Sequence, residues 1–542
     1  MKPSVLFFIC FLFGGMMAQS QSYPWPVGTT PELTANFGEL RSNHYHMGLD
    51  GRTERRENLD IYSIEEGYVS RVKIEPWGYG RSIYIDHPNG ITTVYAHLND
   101  FYPELEAWVR ARQYEAESWK IDLTVPAGLF PVKRKQFIAY SGNTGGSMGP
   151  HLHFEMRNTQ SEVVLNPLKH GFYISDKTPP DILRLAVYDR NISTYEQTPR
   201  YIALVKTAGG YTAQDVVVQS NRISFGFTSY DRYTGSTNQN GIYGAALFVN
   251  NVEQCRFTMD SIHYSHTRYL NAHIDYKTKL GGGPYIQHLS LLPGHHHHIY
   301  SGGDGILKLQ DNAWQDVKII VYDPVGNQSV VRFKVRGSAA SSTQKKMGEP
   351  VFHPNVLNIF ENENVRFYLP EKALYDSFQF KYNVLSTPTG LVHQLHNGTV
   401  PVHEFFNVQI RNVSFPKPEK VVMHYYFGTR KKYAPTSYKD GWYTASFREL
   451  GNFKLIYDTI SPVISAVSNT PSRLSFTITD NAEDLTNFRA TLNGQWILVS
   501  FDKGKNFVYK KDDRCKKGLN TLEIYVEDMA GNTSSRTFTF NH

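Results

Sequence analysis

Three short segments near the start of the chain hold residues able to do chemistry. They are His44-Tyr45-His46-Met47-Gly48-Leu49-Asp50, Tyr95-Ala96-His97 and Gly142-Asn-Thr-Gly-Gly-Ser-Met-Gly-Pro-His151-Leu152-His153-Phe154-Glu155. His151 and His153 sit in an alternating stretch, so on a strand both rings face one side and Leu152 faces the other. His46 and Asp50 are four apart, a spacing that co-faces them on a strand or a helix. Gly48 and Gly51 favour an extended or looped path. Imidazoles with a carboxylate are the nitrogen and oxygen donors that suit zinc, with a fourth position left for water.

Alone, each segment is a weak signal; together and in this order they are specific. The set resembles the lysostaphin-like, LytM-type zinc metalloendopeptidases that cut peptidoglycan peptides, over residues 35–168. The stretch Val132-Lys-Arg-Lys-Gln-Phe-Ile-Ala-Tyr-Ser-Gly-Asn-Thr-Gly145 resembles the strand and turn that lead into the family's His-x-His. The resemblance implies His46, Asp50 and His153 as ligands of one Zn2+ per chain, and His97 and His151 as catalytic histidines outside the ligand set. It also implies a peptidoglycan peptide as substrate, hydrolysed by a zinc-activated water. Two departures stand out. Lys135 occupies a position where the family usually has Gly, and a helical insert follows His97.

Zinc lowers the pKa of its water to about 7. No His-Glu-x-x-His is present, because His403-Glu404-Phe-Phe-Asn407 fails at its last position. The base is then something other than that motif's glutamate. A neutral His151 can take a proton, and a protonated His97 could stabilise the developing oxyanion. The sequence leaves open which of the two is the base.

These residues need a β scaffold. Arg81–Asp86 and Ile91–Ala96 alternate on either side of His87-Pro-Asn-Gly90, which predicts a hairpin. From Pro103 to Trp119, apolar residues recur near helical spacing, which predicts one short helix among strands. Trp108 and Trp119 are read as packing residues of that helix rather than a lid over the groove. Farther on, two stretches match. Asp176-Lys-Thr-Pro-Pro and Asp458-Thr-Ile-Ser-Pro open them; Val321-Tyr-Asp-Pro-Val-Gly-Asn-Gln-Ser and Val526-Glu-Asp-Met-Ala-Gly-Asn-Thr-Ser close them. Each closing is a strand, an Asp, a Gly-Asn turn and a second strand, so a repeated sandwich module similar to bacterial immunoglobulin-like modules is expected. The first copy is longer, with an insertion expected within 230–300.

The fold class is therefore mainly β: an antiparallel peptidase domain with an open cleft, then β-sandwich modules. The expected order is a signal peptide at 1–20, the peptidase domain at 21–175, and an immunoglobulin-like module with its insertion at 176–336. A linker at 337–349, a β module at 350–457 and a second immunoglobulin-like module at 458–542 follow.

The rest of the composition agrees. The 542 residues suit about three to four domains. Lys2, the apolar run Val5–Phe13 and Ala18-Gln19-Ser20 read as a secretory leader, so the chain is expected to be exported to the periplasm, cell envelope or outside. No transmembrane segment is expected in the mature chain. The net charge of +6 is mild and shows no basic stripe, so no nucleic acid partner is expected. Cys255 and Cys515 are read as buried thiols rather than a disulfide. His295–His298 reads as a solvated loop that binds metal only adventitiously, and His263 and His266 read as surface or packing histidines. His44 reads as a groove or supporting residue, His87 as a turn residue and Asp231-Arg232 as an ion pair. The β modules offer surface for a cell-envelope protein partner. Two rival readings are a non-catalytic peptidoglycan-binding or hydrolase-activating relative, and an adhesin in which the peptidase-like part is a passenger.

Overall fold

The computed structural model describes residues 23–310, 312–337, 350–482, 485–504 and 506–542. The expected leader and most of the expected linker lie outside them. The chain is mainly β, built almost wholly of antiparallel sheets. Among the described residues, no helix is long and apolar enough to cross a membrane.

The N-terminal sheet carries the three motifs. Its main strands are β1 (Leu33–Ala35), β2 (Leu49–Arg52), β3 (Gly67–Ile74), β4 (Arg81–Asp86), β5 (Ile91–Ala96), β6 (Ile121–Thr124) and β7 (His151–Asn158). Their order across the sheet is β1-β2-β7-β5-β4-β3-β6. The β4–β5 hairpin forms where the Asn-Gly signal placed it. Asp86 pairs with Thr92, and Gly90 sits at φ 79°, a left-handed turn conformation that glycine adopts without strain. The predicted helix is α1 (Pro103–Glu115); Pro103 occupies its first turn, where a missing N–H costs nothing.

β7 shows why the site faces one way. Leu152, Phe154 and Met156 enter the apolar core with Ile83, Ile85 and Tyr95. The period of two then puts His151, His153, Glu155 and Arg157 on the opposite face.

Two repeats share a common skeleton. The first has β8 (Asp181–Asp189), β9 (Arg222–Tyr230), β10 (Gly244–Val249), β11 (Gln315–Tyr322) and β12 (Gln328–Gly337). The last has β13 (Val463–Asn469), β14 (Arg473–Thr479), β15 (Leu485–Leu492), β16 (Leu519–Asp528) and β17 (Thr533–Asn541). In each, the first two strands pair in one sheet, while the third pairs with the fourth and the fourth with the fifth in the other. Added chain in the first repeat falls between β8 and β9 as well as between β10 and β11. Between the repeats, residues 351–457 form two five-stranded sheets and a small two-stranded one around a core rich in Phe and Tyr.

The regions are packed into one another. Val164 and Leu165 pair with Ser261 and Ile262, extending the N-terminal sheet into the first repeat. Phe37, Tyr45, Met47 and Val164 belong to the first repeat's core. The last repeat docks on α1: Trp119 packs on Phe501, Tyr114 on Trp496, and Arg110 pairs with Asp512 at 2.9 Å. Trp108 packs edge-on against Phe130. Both tryptophans are packing residues, as read. Cys255 and Cys515 are free and buried.

Candidate metal centre

Strand register brings the motifs together. β7 lies between β2 and β5, with Asp50 opposite His153 and Ala96 opposite His153 on the other side. His46 reaches the same row from the loop before β2. Gly48 makes that approach possible: a Cβ there would lie 2.3 Å from the carbonyl oxygen of Phe154 and 3.0 Å from the His153 ring.

The donor atoms of His46, Asp50 and His153 converge. His46 Nε2 lies 2.9 Å from Asp50 Oδ1 and 3.0 Å from His153 Nδ1, and His153 Nδ1 lies 3.0 Å from Asp50 Oδ1. All three side chains are buried. Two imidazole nitrogens and one carboxylate oxygen at this separation fit the donor set of a zinc site.

The far side of each imidazole is fixed. His46 Nδ1–H donates to the carbonyl of Asn36 at 2.8 Å, leaving Nε2 to face the cluster. His153 Nε2 donates to Glu155 Oε1 at 2.9 Å, leaving Nδ1 to face it. Glu155 is fully buried and paired with Arg157 at 2.7 Å. Tyr79 and Tyr264 also donate hydroxyls to it. A carboxylate behind a ligating histidine sets its tautomer and raises its basicity.

The charges follow. Burial opposes charge on His153, but its hydrogen bonds to Asp50 and Glu155 hold its pKa up to about 9. Burial also pushes Asp50 and Glu155 toward the neutral form. His46 and His153 outweigh this at Asp50, holding it well below the usual carboxylate range. Arg157 and His153 do the same at Glu155, down to about 2. Arg41 adds a further positive charge 3.7 Å from Asp50 Oδ2.

His97 and His151 stand beside the cluster with ring centroids 4.8 Å apart. His151 Nε2 is 3.5 Å from Asp50 Oδ1, and its Nδ1–H donates to the carbonyl of Gly149 at 2.8 Å. His97 Nδ1–H donates to the carbonyl of Thr144 at 2.8 Å. Each therefore presents Nε2 as an acceptor when neutral. Burial lowers both pKa values, that of His97 to about 3. The expectation of a protonated His97 does not fit this burial. His97 also has φ 59°, a strained backbone conformation for a residue with a side chain and one that clusters at functional sites.

All five residues read from sequence thus lie in one place. Lys135, the departure from the glycine pattern, takes φ 62°, the conformation that glycine would favour. His44 is exposed beside the cluster and bonds to the carbonyl of Ser42. His87 is buried at the hairpin turn, bound to the carbonyl of Glu66 and to Thr93. Sequence reasoning missed the roles of Glu155, Arg157, Tyr79 and Tyr264. The alternation His151-x-His153-x-Glu155-x-Arg157 signals the first two. No local signal points to Tyr264, which arrives from the first repeat.

The histidine run differs from its reading. His295 and His297 are buried, not solvated, and pack on Tyr45, Tyr269 and Tyr300. The Asp231-Arg232 pair also differs: Arg232 pairs with Asp181 at 3.3 Å, and Asp231 has no ion-pair partner among the described residues.

Residues 44–119 match the model of peptidase family M23, and residues 349–458 match that of the Zu5-like domain. The DD-carboxypeptidase/endopeptidase Mpg of Neisseria meningitidis is 35% identical over 142 residues, which is 26% of this chain and 26% of that protein. An uncharacterized metalloprotease of Haemophilus influenzae is 31% identical over 123 residues, 23% of this chain and 20% of its own length. The chain thus spans about a quarter or less of the curated relatives it matches. Among solved structures, the catalytic domain of lysostaphin from Staphylococcus simulans is 22% identical, covering 24% of this chain and 86% of that one, with a TM-score of 0.19. Through its motifs, the matched family model and the curated relatives, the N-terminal region is similar to the LytM-type domains of peptidase family M23.

Proposed function

We propose that the chain is an exported zinc metalloendopeptidase that hydrolyses peptide cross-links of peptidoglycan. The observation that carries this reading is the convergence of His46, Asp50 and His153, with the Nε2 atoms of His97 and His151 available beside them. The matched relative named DD-carboxypeptidase/endopeptidase supports a peptide substrate.

In this reading, His46, Asp50 and His153 hold the metal. Zinc bound there supplies Lewis acidity and makes water a nucleophile near neutral pH. His151 is the general base: its Nδ1–H is spent on Gly149, its Nε2 faces Asp50, and burial keeps it neutral. His97, neutral and anchored on Thr144, orients the attacked group from the other side. Glu155, Arg157, Tyr79 and Tyr264 keep the His153 ring in place.

Digestion of purified peptidoglycan by wild type and His151→Ala, with products read by mass spectrometry, tests the proposal. New amine and carboxyl ends should appear with wild type and vanish with the variant. Equal products from both would end the role given to His151. No products from a wild type carrying one zinc would favour a binding or hydrolase-activating role instead.

A further inference from the structure

Outside the metal centre, two more groups of three acidic side chains converge. Asp176, Asp231 and Asp323 place carboxylate oxygens within 4.8 Å of one another, and so do Asp458, Asp480 and Asp528. The two groups occupy equivalent places in the two repeats. One Asp opens the repeat, one follows its second strand (β9 or β14), and one stands where the first strand of the closing hairpin ends, just after β11 or as the last residue of β16.

Part of each group has an internal explanation. Asp323 Oδ1 accepts from the backbone N–H groups of Val325, Gly326 and Asn327, and Asp528 Oδ1 accepts from those of Ala530 and Asn532. Asn327 and Asn532 tie these residues to the carbonyls of Asp176 and Asp458. Those bonds shape the hairpin.

They do not account for the remaining oxygens. Asp231 is fully buried, and neither of its carboxylate oxygens has a hydrogen-bond partner among the described residues. Asp176 Oδ2, Asp458 Oδ2 and Asp480 Oδ1 are likewise buried and unpartnered. No Lys or Arg pairs with any of the six among the described residues. Burying like-charged carboxylates without a counter-charge is strongly unfavourable. Both repeats nevertheless place them in the same position.

We propose that each repeat holds a calcium ion, bound by Asp176, Asp231 and Asp323 in the first and by Asp458, Asp480 and Asp528 in the last. Oxygen-only donors suit a hard cation, and calcium tolerates irregular carboxylate geometry where magnesium demands a near-ideal octahedron. In the first repeat, Asn240 bridges Asp231 through the backbone and has a buried, unpartnered Oδ1 of its own. Without a cation, burial and the neighbouring Asp323 and Asp176 push the pKa of Asp231 up to about 8. The ion would join the chain segments that open and close each repeat, and so stiffen the modules next to the peptidase.

The test is equilibrium dialysis of the full-length protein against radiolabelled CaCl2, after stripping metal and restoring one equivalent of zinc. Two calcium ions should bind per chain at or below about 1 mM. Asp231→Asn and Asp480→Asn should each remove one site, and the double variant both, with zinc content and circular dichroism unchanged. CaCl2 should raise the Tm of wild type more than MgCl2 does. No saturable binding by wild type, or two sites surviving in the double variant, would overturn the proposal. So would a Tm indifferent to calcium that rises when Asp231 becomes Asn, because the carboxyls would then be neutralised by a proton.

Discussion

The chain contains two ways of bringing three metal-suited side chains together, and they differ in what happens without metal. In the His46–Asp50–His153 cluster, donors and acceptors alternate. His153, held charged by Asp50 and Glu155, donates to the Asp50 carboxylate, and Asn36 and Glu155 hold the imidazoles. The aspartate triads contain acceptors alone, so five of their buried oxygens find no partner among the described residues. The first cluster contains its own counter-charges, and under the proposed function its metal would serve chemistry. The triads need a cation to be stable, and theirs serves structure.

Sequential metal return is the strongest way to break this comparison. Chelation should abolish peptidase activity and lower Tm together. Zinc alone should restore activity with little change in Tm, and calcium alone should restore Tm without activity. Calorimetry and a wall-digestion assay read the two effects separately. At the residue level, Asp50→Ala should lower zinc content below one per chain and remove detectable activity. His151→Ala should keep the zinc and lose about 100- to 10,000-fold in kcat. A large drop in Tm for Asp50→Ala would place the histidine cluster with the structural sites.

A pH scan sharpens the same contrast in the first repeat. His273 is fully buried against Tyr300 and Gln287, and burial lowers its pKa to about 4 from the ordinary 6.5. Between these values the unfolded chain binds a proton that the folded one refuses. The stability is therefore complete above pH 6.5 and is lost as pH falls toward 4, by about 3 kcal/mol. His273→Gln should flatten this slope in denaturant titrations with calcium held saturating. An unchanged slope would assign the acid loss to other groups, the aspartates included.

Glu155→Gln probes the layer behind the histidines. Removing its charge should weaken zinc binding by about 10- to 100-fold, measured by competition with a chromophoric chelator. Tyr264→Phe deletes only one of the hydroxyls on Glu155, so its effect should have the same sign and be smaller. An effect of Tyr264→Phe equal to that of Glu155→Gln would make the first repeat a full part of the metal centre.

What was legible in the sequence follows the range of the interactions. His151 and His153 could be read as a pair because strand periodicity puts both on one face, the full set with His46, Asp50 and His97 was legible through the resemblance to the peptidase family, and the Asn-Gly hairpin and α1 rest on local rules. The repeat was visible through Asp176, Asp323, Asp458 and Asp528. The middle aspartates were not, because Asp231 beside Arg232 looks like an ion pair until the fold gives Arg232 to Asp181. His295 and His297 looked solvated because the tyrosines that bury them come from other segments. A boundary at 175 looked natural by composition. Phe37, Tyr45, Met47 and Val164 cross it to enter the next core, so a chain cut there is expected to lose the packing beside His46.

The smallest predicted effect concerns the last repeat. Lys503 Nζ donates to the carbonyl of Ser147 at 2.7 Å, and Asp502 Oδ1 accepts from the N–H of Gly145 at 2.8 Å. The turn they grip is a tight one. Gly145 sits at φ 68°, and a Cβ there would lie 2.2 Å from the nitrogen of Gly80. The same turn supplies the carbonyls of Thr144 and Gly149 that orient His97 and His151. Lys503→Ala should therefore loosen both histidines at once, lowering kcat by less than about tenfold, the scale of one hydrogen bond open to water. Zinc content and KM should hold, because neither the ligands nor the groove is touched. A rise in activity on intact wall would mean that the last repeat covers the groove rather than bracing its turn.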